Sequence, residues 1–137
     1  MSKQILLIDD DEDELYFFTE ALIETRHSYE CISARSVEEG MKLLDYTRPA
    51  FIFLDINMPK INGFQGLNLI KKLDTIRDIP VVLYSTTVTE EVIEKGLLQG
   101  ATACMQKTGS IAALANDLKL FLDQRSLLPC GNKVSLS

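Results

Sequence analysis

The chain has 137 residues, 46% of them hydrophobic, a length and composition that suit one domain with a proper core. Fourteen Lys and Arg against twenty Asp and Glu give a formal charge of -6, which argues against a general nucleic-acid binder, whose footprint is a basic patch. Three cysteines, Cys31, Cys104 and Cys130, are odd in number and widely spaced, which argues against a disulfide framework or zinc site and fits a reducing, cytoplasmic setting.

Met1, Ser2 and Lys3 lead into a short apolar run, Ile5-Leu6-Leu7-Ile8, which stops at acidic residues and so does not read as a signal peptide. Leu15, Phe18 and Leu22 then share one helical face. A second run, Cys31 to Ala34, is followed by Ser36 and Glu39, spaced as a capping box, and by the stripe Val37, Met41 and Leu44. The third run is Phe51-Ile52-Phe53-Leu54, and Phe64, Leu67 and Ile70 form the next stripe. Pro80 precedes the fourth run, Val81-Val82-Leu83-Tyr84, at a position where a missing donor is tolerated. Val88, Val92 and Leu97 are expected on one face of a helix closed by Gly100. The fifth run is Ala103-Cys104-Met105, and Ser110 opens the stripe Ile111, Leu114, Leu118 and Phe121. The periodicity fades after Leu122, so the expected organisation is a domain over 1–122 and a tail over 123–137, with no output domain. No apolar run approaches the roughly 20 residues that span a bilayer, so no membrane association is expected.

Runs one, three and four are apolar throughout, the pattern of strands covered on both faces. Runs two and five are weaker, as edge strands would be. Strand and helix alternate five times, which implies right-handed βαβ units and an α/β fold with a doubly wound, five-stranded parallel sheet. In such sheets the ligand site lies beyond the carboxyl ends of the strands. Strand one ends at Asp9-Asp10-Asp11, strand three at Asp55, strand four at Ser85-Thr86-Thr87 and strand five at Lys107. Carboxylates gathered at one edge repel one another, and a hard divalent cation with oxygen ligands relieves that repulsion. A lysine adds a second positive charge, a serine adds a directed hydrogen bond, and one carboxylate can attack phosphorus. Asp55 ends the most apolar run and is the best placed.

Plainer readings exist for each piece. The acidic run Asp9 to Asp13 could merely cap a helix N-terminus. Asp9, Asp11, Asp13 and Glu20 also fit calcium-loop spacing, although Glu14 stands where that loop needs glycine. Asp55 could cap a turn, Ser85 a helix, and Lys107 could be an ordinary surface lysine. His27, the single histidine, reads as a surface residue, and Cys104 as a small strand residue.

Taken together, Ile8-Asp9-Asp10, Leu54-Asp55-Ile56-Asn57-Met58-Pro59, Gly63, Ser85 and Lys107 closely resemble the signature of the response-regulator receiver family, over about residues 4–122. The resemblance implies a flavodoxin-like fold with strand order 2-1-3-4-5. It implies that Asp55 accepts a phosphoryl group from a sensor histidine kinase or phosphotransfer protein. Asp10 and Asp55 would ligate Mg²⁺ through carboxylates, Asp9 would act through a water or indirectly, and the backbone carbonyl of Asn57 would complete the site. Ser85 and Lys107 would each take a phosphoryl oxygen, biasing a surface on helix four, strand five and helix five toward an unidentified downstream protein. A monomer or weak dimer in the cytoplasm is implied, with self-phosphorylation and self-dephosphorylation as its only chemistry.

Three positions depart from the family pattern. Thr108 follows Lys107 where the family has a cis proline, and a cis bond to a non-proline residue costs about 3 kcal/mol. Cys104 stands where an aromatic couples to the hydroxyl, and Thr86 follows Ser85 where alanine is usual. These departures leave a degenerate receiver, working unphosphorylated, as an alternative. A haloacid-dehalogenase-like phosphatase is the other: Asp9-x-Asp11, Ser85 and Lys107 loosely match its motifs, but Asp13 is wrong for it and Asp55 would have no role.

Overall fold

Consecutive side chains of a strand point to opposite faces, so an uninterrupted apolar run needs cover on both sides. The computed structural model, which describes residues 3–124, meets that need with helices on each face of one parallel sheet. In chain order the elements are β1 (Lys3–Ile8), α1 (Glu12–Glu24), β2 (Tyr29–Ala34), α2 (Val37–Leu44), β3 (Phe51–Asp55), α3 (Gly63–Lys72), β4 (Val81–Ser85), α4 (Glu90–Gln99), β5 (Ala103–Gln106) and α5 (Ile111–Gln124). The strand order is β2-β1-β3-β4-β5, all parallel, as the family resemblance implies.

Alternation divides the core in two. Leu6, Ile8, Ile52, Leu54, Val81, Leu83 and Cys104 face α2, α3 and α4, where Val37, Leu67, Ile70 and Ile93 meet them. Ile5, Leu7, Phe51, Phe53, Val82, Tyr84 and Met105 face α1 and α5, against Phe18, Leu22, Leu114, Leu118 and Phe121. Edge-on ring pairs knit this second layer, Phe18 against Phe53 at 5.0 Å and Phe51 against Phe121 at 5.1 Å between centroids. The two runs expected at the edges do lie there, β2 and β5. β2 is largely half-exposed, but Ala103, Cys104 and Met105 are fully buried.

Local signals set the helix ends. Asp11 caps α1, its carboxylate accepting from the Asp13 amide at 2.9 Å. Ser36 caps α2 by accepting from the Glu39 amide at 3.1 Å, one half of the expected box. Both halves form at α3, between Asn62 and Gln65. Gly100 closes α4 in the left-handed conformation, φ 95°.

The α4 stripe needs correction. Thr89 is the N-cap, so Val88 lies buried ahead of the helix. The buried face is Ile93 and Gly96, and Leu97 is 53% exposed. Each residue turns a helix by about 100°, so with Gly96 inward its neighbour Leu97 swings toward solvent. At the other end, α5 continues through Asp123 and Gln124, where the sequence periodicity fades. The rest of the expected tail, with Cys130, lies outside the described residues. Among the described residues, no helix is long and apolar enough to cross a membrane.

Candidate functional site

β1, β3 and β4 run parallel in close register, Ile8 beside Leu54 and Asp55 beside Tyr84. Each strand therefore stops at nearly the same level, and the residues just past the ends converge. Asp9 and Asp55 are almost wholly buried and Asp10 is exposed. Carboxylate oxygens of all three lie within 4.8 Å of one another.

The backbone fixes each group. The Asp9 amide donates to Ala34 O at 3.0 Å, and Asp9 Oδ1 accepts from the Asp11 amide at 3.0 Å. Asp55 Oδ1 accepts from the Asn57 amide at 3.1 Å, which turns the chain sharply after β3. Gly63 closes that turn: its amide donates to Ile56 O at 2.9 Å. A Cβ on Gly63 would stand 2.5 Å from Asp55 O and 2.6 Å from Ile56 Cα, so any larger residue would push the Asp55 backbone aside. Ser85 Oγ accepts from Asn57 Nδ2 and from the Thr87 amide, each at 3.3 Å. With both donors aimed at its oxygen, the Ser85 hydroxyl proton is left to point elsewhere.

Lys107 enters from the end of β5, its amide donating to Ser85 O at 2.7 Å. Its ammonium stands 2.7 Å from Asp9 Oδ2 and 3.5 Å from Asp55 Oδ2. There is no cis peptide among the described residues, so the Lys107–Thr108 bond is trans, and Lys107 reaches the pocket all the same. Cys104 is a fully buried strand residue, and Thr86 is exposed with its carbonyl accepting from Gln106 Nε2 at 3.2 Å.

Burial, reinforced by the Asp9 charge, raises the Asp55 carboxyl to about 6, against the counter-pull of Lys107. For Lys107, burial alone would lower the ammonium. The bond and charge of Asp9, with Asp55 and Glu14, overcome this and raise it above the ordinary lysine value. Clustered carboxylates that offer only oxygen donors suit a hard divalent cation. Asp10 and Asp55, with Asp9 beside them, are the residues that fit one.

The family model for the response regulator receiver domain matches residues 5–119. The chain belongs to the response-regulator receiver family. The receiver domain is 32% identical over 104 residues to Protein PilH of Pseudomonas aeruginosa, covering 76% of this chain and 84% of PilH. It superposes on the phosphorylated cyanobacterial phytochrome response regulator RcpA with a TM-score of 0.80 at 28% identity, covering 90% of this chain and 93% of RcpA. On the Mn²⁺-bound form of the response regulator Rcp1 the TM-score is 0.75 at 25% identity, covering 87% and 91%.

The receiver domain thus assembles Asp9, Asp10, Asp55, Asn57, Ser85 and Lys107 at one sheet edge. Other sequence signals resolve differently. α1 occupies 12–24, which removes the calcium-loop reading, and Asp11 spends its carboxylate on the α1 cap rather than on the pocket. His27 is half-buried and paired, Nε2 2.8 Å from Asp123 Oδ1. Sequence reasoning missed Glu14 and Tyr84, whose side chains meet at 2.5 Å beside the pocket. The available signal was a tyrosine immediately before the strand-four serine, on the strand face turned toward the first helix.

Proposed function

We propose that this receiver domain is a phosphorylation switch: Asp55 accepts a phosphoryl group from a sensor histidine kinase or phosphotransfer protein, with Mg²⁺. The observation that carries this is Asp55 itself, a buried carboxylate 3.5 Å from a lysine ammonium and flanked by two further carboxylates. An Asp55 oxygen attacks phosphorus, and the bond from phosphorus to the donor breaks, its electron pair leaving with the donor. Lys107 places positive charge on one phosphoryl oxygen, and the free Ser85 proton is available to another. The Asp10 and Asp55 carboxylates and the Asn57 carbonyl would hold Mg²⁺, with Asp9 acting indirectly. When bound, the ion would supply neutralising charge to the phosphoryl oxygens.

The phosphorylated state of RcpA and the Mn²⁺-bound state of Rcp1 support both halves of this reading. Within this sequence the receiver runs through α5, which ends at Gln124. The output is a protein contact on α4, β5 and α5, where Leu98 is 87% exposed. The domain works as a monomer or weak dimer in the cytoplasm.

The test is incubation with acetyl phosphate and Mg²⁺, followed by intact-mass analysis of wild type and Asp55→Asn. One acid-labile phosphoryl group in the wild type alone is expected. Phosphate retained on Asp55→Asn contradicts the assignment. No uptake by either protein, with no Mg²⁺ binding, favours the degenerate receiver.

A further inference from the structure

Tyr84 and Glu14 meet at the rim of the pocket and have no part in the mechanism above. Tyr84 is fully buried at the end of β4, immediately before Ser85, and faces α1. Its hydroxyl donates to Glu14 Oε2 at 2.5 Å. Glu14 lies in the first turn of α1, half-buried above the acidic cluster. The Lys107 ammonium lies over the Tyr84 ring, 5.4 Å from its centroid. That is within the range in which a ring face attracts a cation.

An apolar side chain would fill the Tyr84 site without needing a polar partner. A buried phenol needs an acceptor, and leaving it unpaired is costly. Here the acceptor is a carboxylate whose ionisation is opposed first by burial and then by the charges of Asp9 and Asp11, against the tyrosine bond and Lys107. This carboxylate also acts on Lys107, adding to the pull of Asp9 and Asp55. The lysine is therefore drawn two ways, toward the acceptor aspartate and toward α1. Glu14 pairs instead with the tyrosine hydroxyl.

We infer that Tyr84 and Glu14 are positioning residues for Lys107: the tyrosine hydroxyl ties up the Glu14 carboxylate, and its ring holds the ammonium on the Asp9–Asp55 side. This rests on the reading that Lys107 serves phosphorylation of Asp55. Loss of the hydroxyl frees Glu14 to pair with Lys107 directly. Loss of the Glu14 charge removes the competitor, while the glutamine carbonyl still accepts from the phenol. The two substitutions therefore act in opposite directions.

The experiment uses the full chain with acetyl phosphate and Mg²⁺, and compares Tyr84→Phe, Glu14→Gln and the double variant. Thermal melts check that each folds. Glu14→Gln is expected to speed phosphorylation about threefold and Tyr84→Phe to slow it about threefold, the scale of a partly screened ion pair. The double variant follows Glu14→Gln, because no carboxylate remains to be released. In parallel, the ring-current shift of the Lys107 ε-methylene protons is read by NMR. It is retained in Glu14→Gln, diminished in Tyr84→Phe and restored in the double variant. Two slow single variants whose effects add, or a Lys107 resonance unmoved in Tyr84→Phe, overturns the inference. Should Tyr84→Phe not fold, the Glu14→Gln rate decides, and no increase overturns it. A wild type that takes up no phosphate defeats the reading of Asp55, while the Lys107 resonance still judges the tyrosine and glutamate.

Discussion

Asp55 is held where ionisation is opposed: it is buried, and Asp9 presents a like charge beside it. Burial first, and then the Asp9 charge, push its carboxyl up to about 6 in the folded state, above the ordinary aspartate value of 3.8. Between those two values the folded state holds more protons than the unfolded one, so stability falls as pH rises. Asp55→Asn removes that penalty. In metal-free buffer the variant is expected to melt above wild type at pH 7, by an amount on the order of 2 kcal/mol. The gap closes toward pH 4, and melts recorded at the two pH values check it; a wild type more stable than Asp55→Asn at pH 7 contradicts it. The place of Asp55 was legible in the sequence because a parallel strand of such a sheet ends at the ligand edge. The bonds of its neighbours were not. The pairing of Tyr84 with Glu14, and of His27 with Asp123, joins residues far apart in the chain whose meeting depends on how helices lie on the sheet.

Elements were legible where two signals agreed. β1, β3 and β4 combined unbroken apolar runs with acidic or hydroxyl ends, and α5 combined a Ser110 start with an unbroken stripe, the Ser110 hydroxyl accepting from the Ala113 amide at 3.2 Å. The α4 stripe fails at Leu97, a core residue by type that faces solvent because Gly96 takes the inward position, while Val88 and Val92 do pack against the core. Glycine matters differently at α3. Gly63 opens that helix directly against the Asp55 carbonyl, so the helix start and Asp55 are one packing unit. Gly63→Ala cannot be absorbed by a flexible side chain, since the atoms in the way are backbone. Its expected cost is roughly 1–3 kcal/mol, the usual range for overpacking, with slowed phosphoryl uptake because Asp55 is displaced. Denaturant titration checks the first and intact-mass kinetics the second. A variant that matches wild type in both shows that the β3–α3 turn has slack.

Across the whole molecule, three strands, two faces of helices and one lysine from the edge strand meet at a cluster of negative charge. Folding therefore assembles a repulsive site, and a cation that binds only the assembled form must stabilise the fold. At a hundredfold excess over Kd the gain is about 3 kcal/mol. For a domain of this size that corresponds to a rise of roughly 10 °C in Tm. Asp10 separates metal binding from folding, because it is exposed while Asp9 and Asp55 are buried. Asp10→Ala should keep the metal-free Tm within about 2 °C of wild type, as surface substitutions usually do. It should lose most of the Mg²⁺-dependent rise. Thermal melts in chelator and across a Mg²⁺ series make the comparison, with calorimetric titration giving Kd directly. If Asp10→Ala keeps the full rise, the ion is held without Asp10 and the proposed ligand set is wrong. If the metal-free Tm itself collapses, Asp10 serves the fold, and the pocket was not built at the expense of stability.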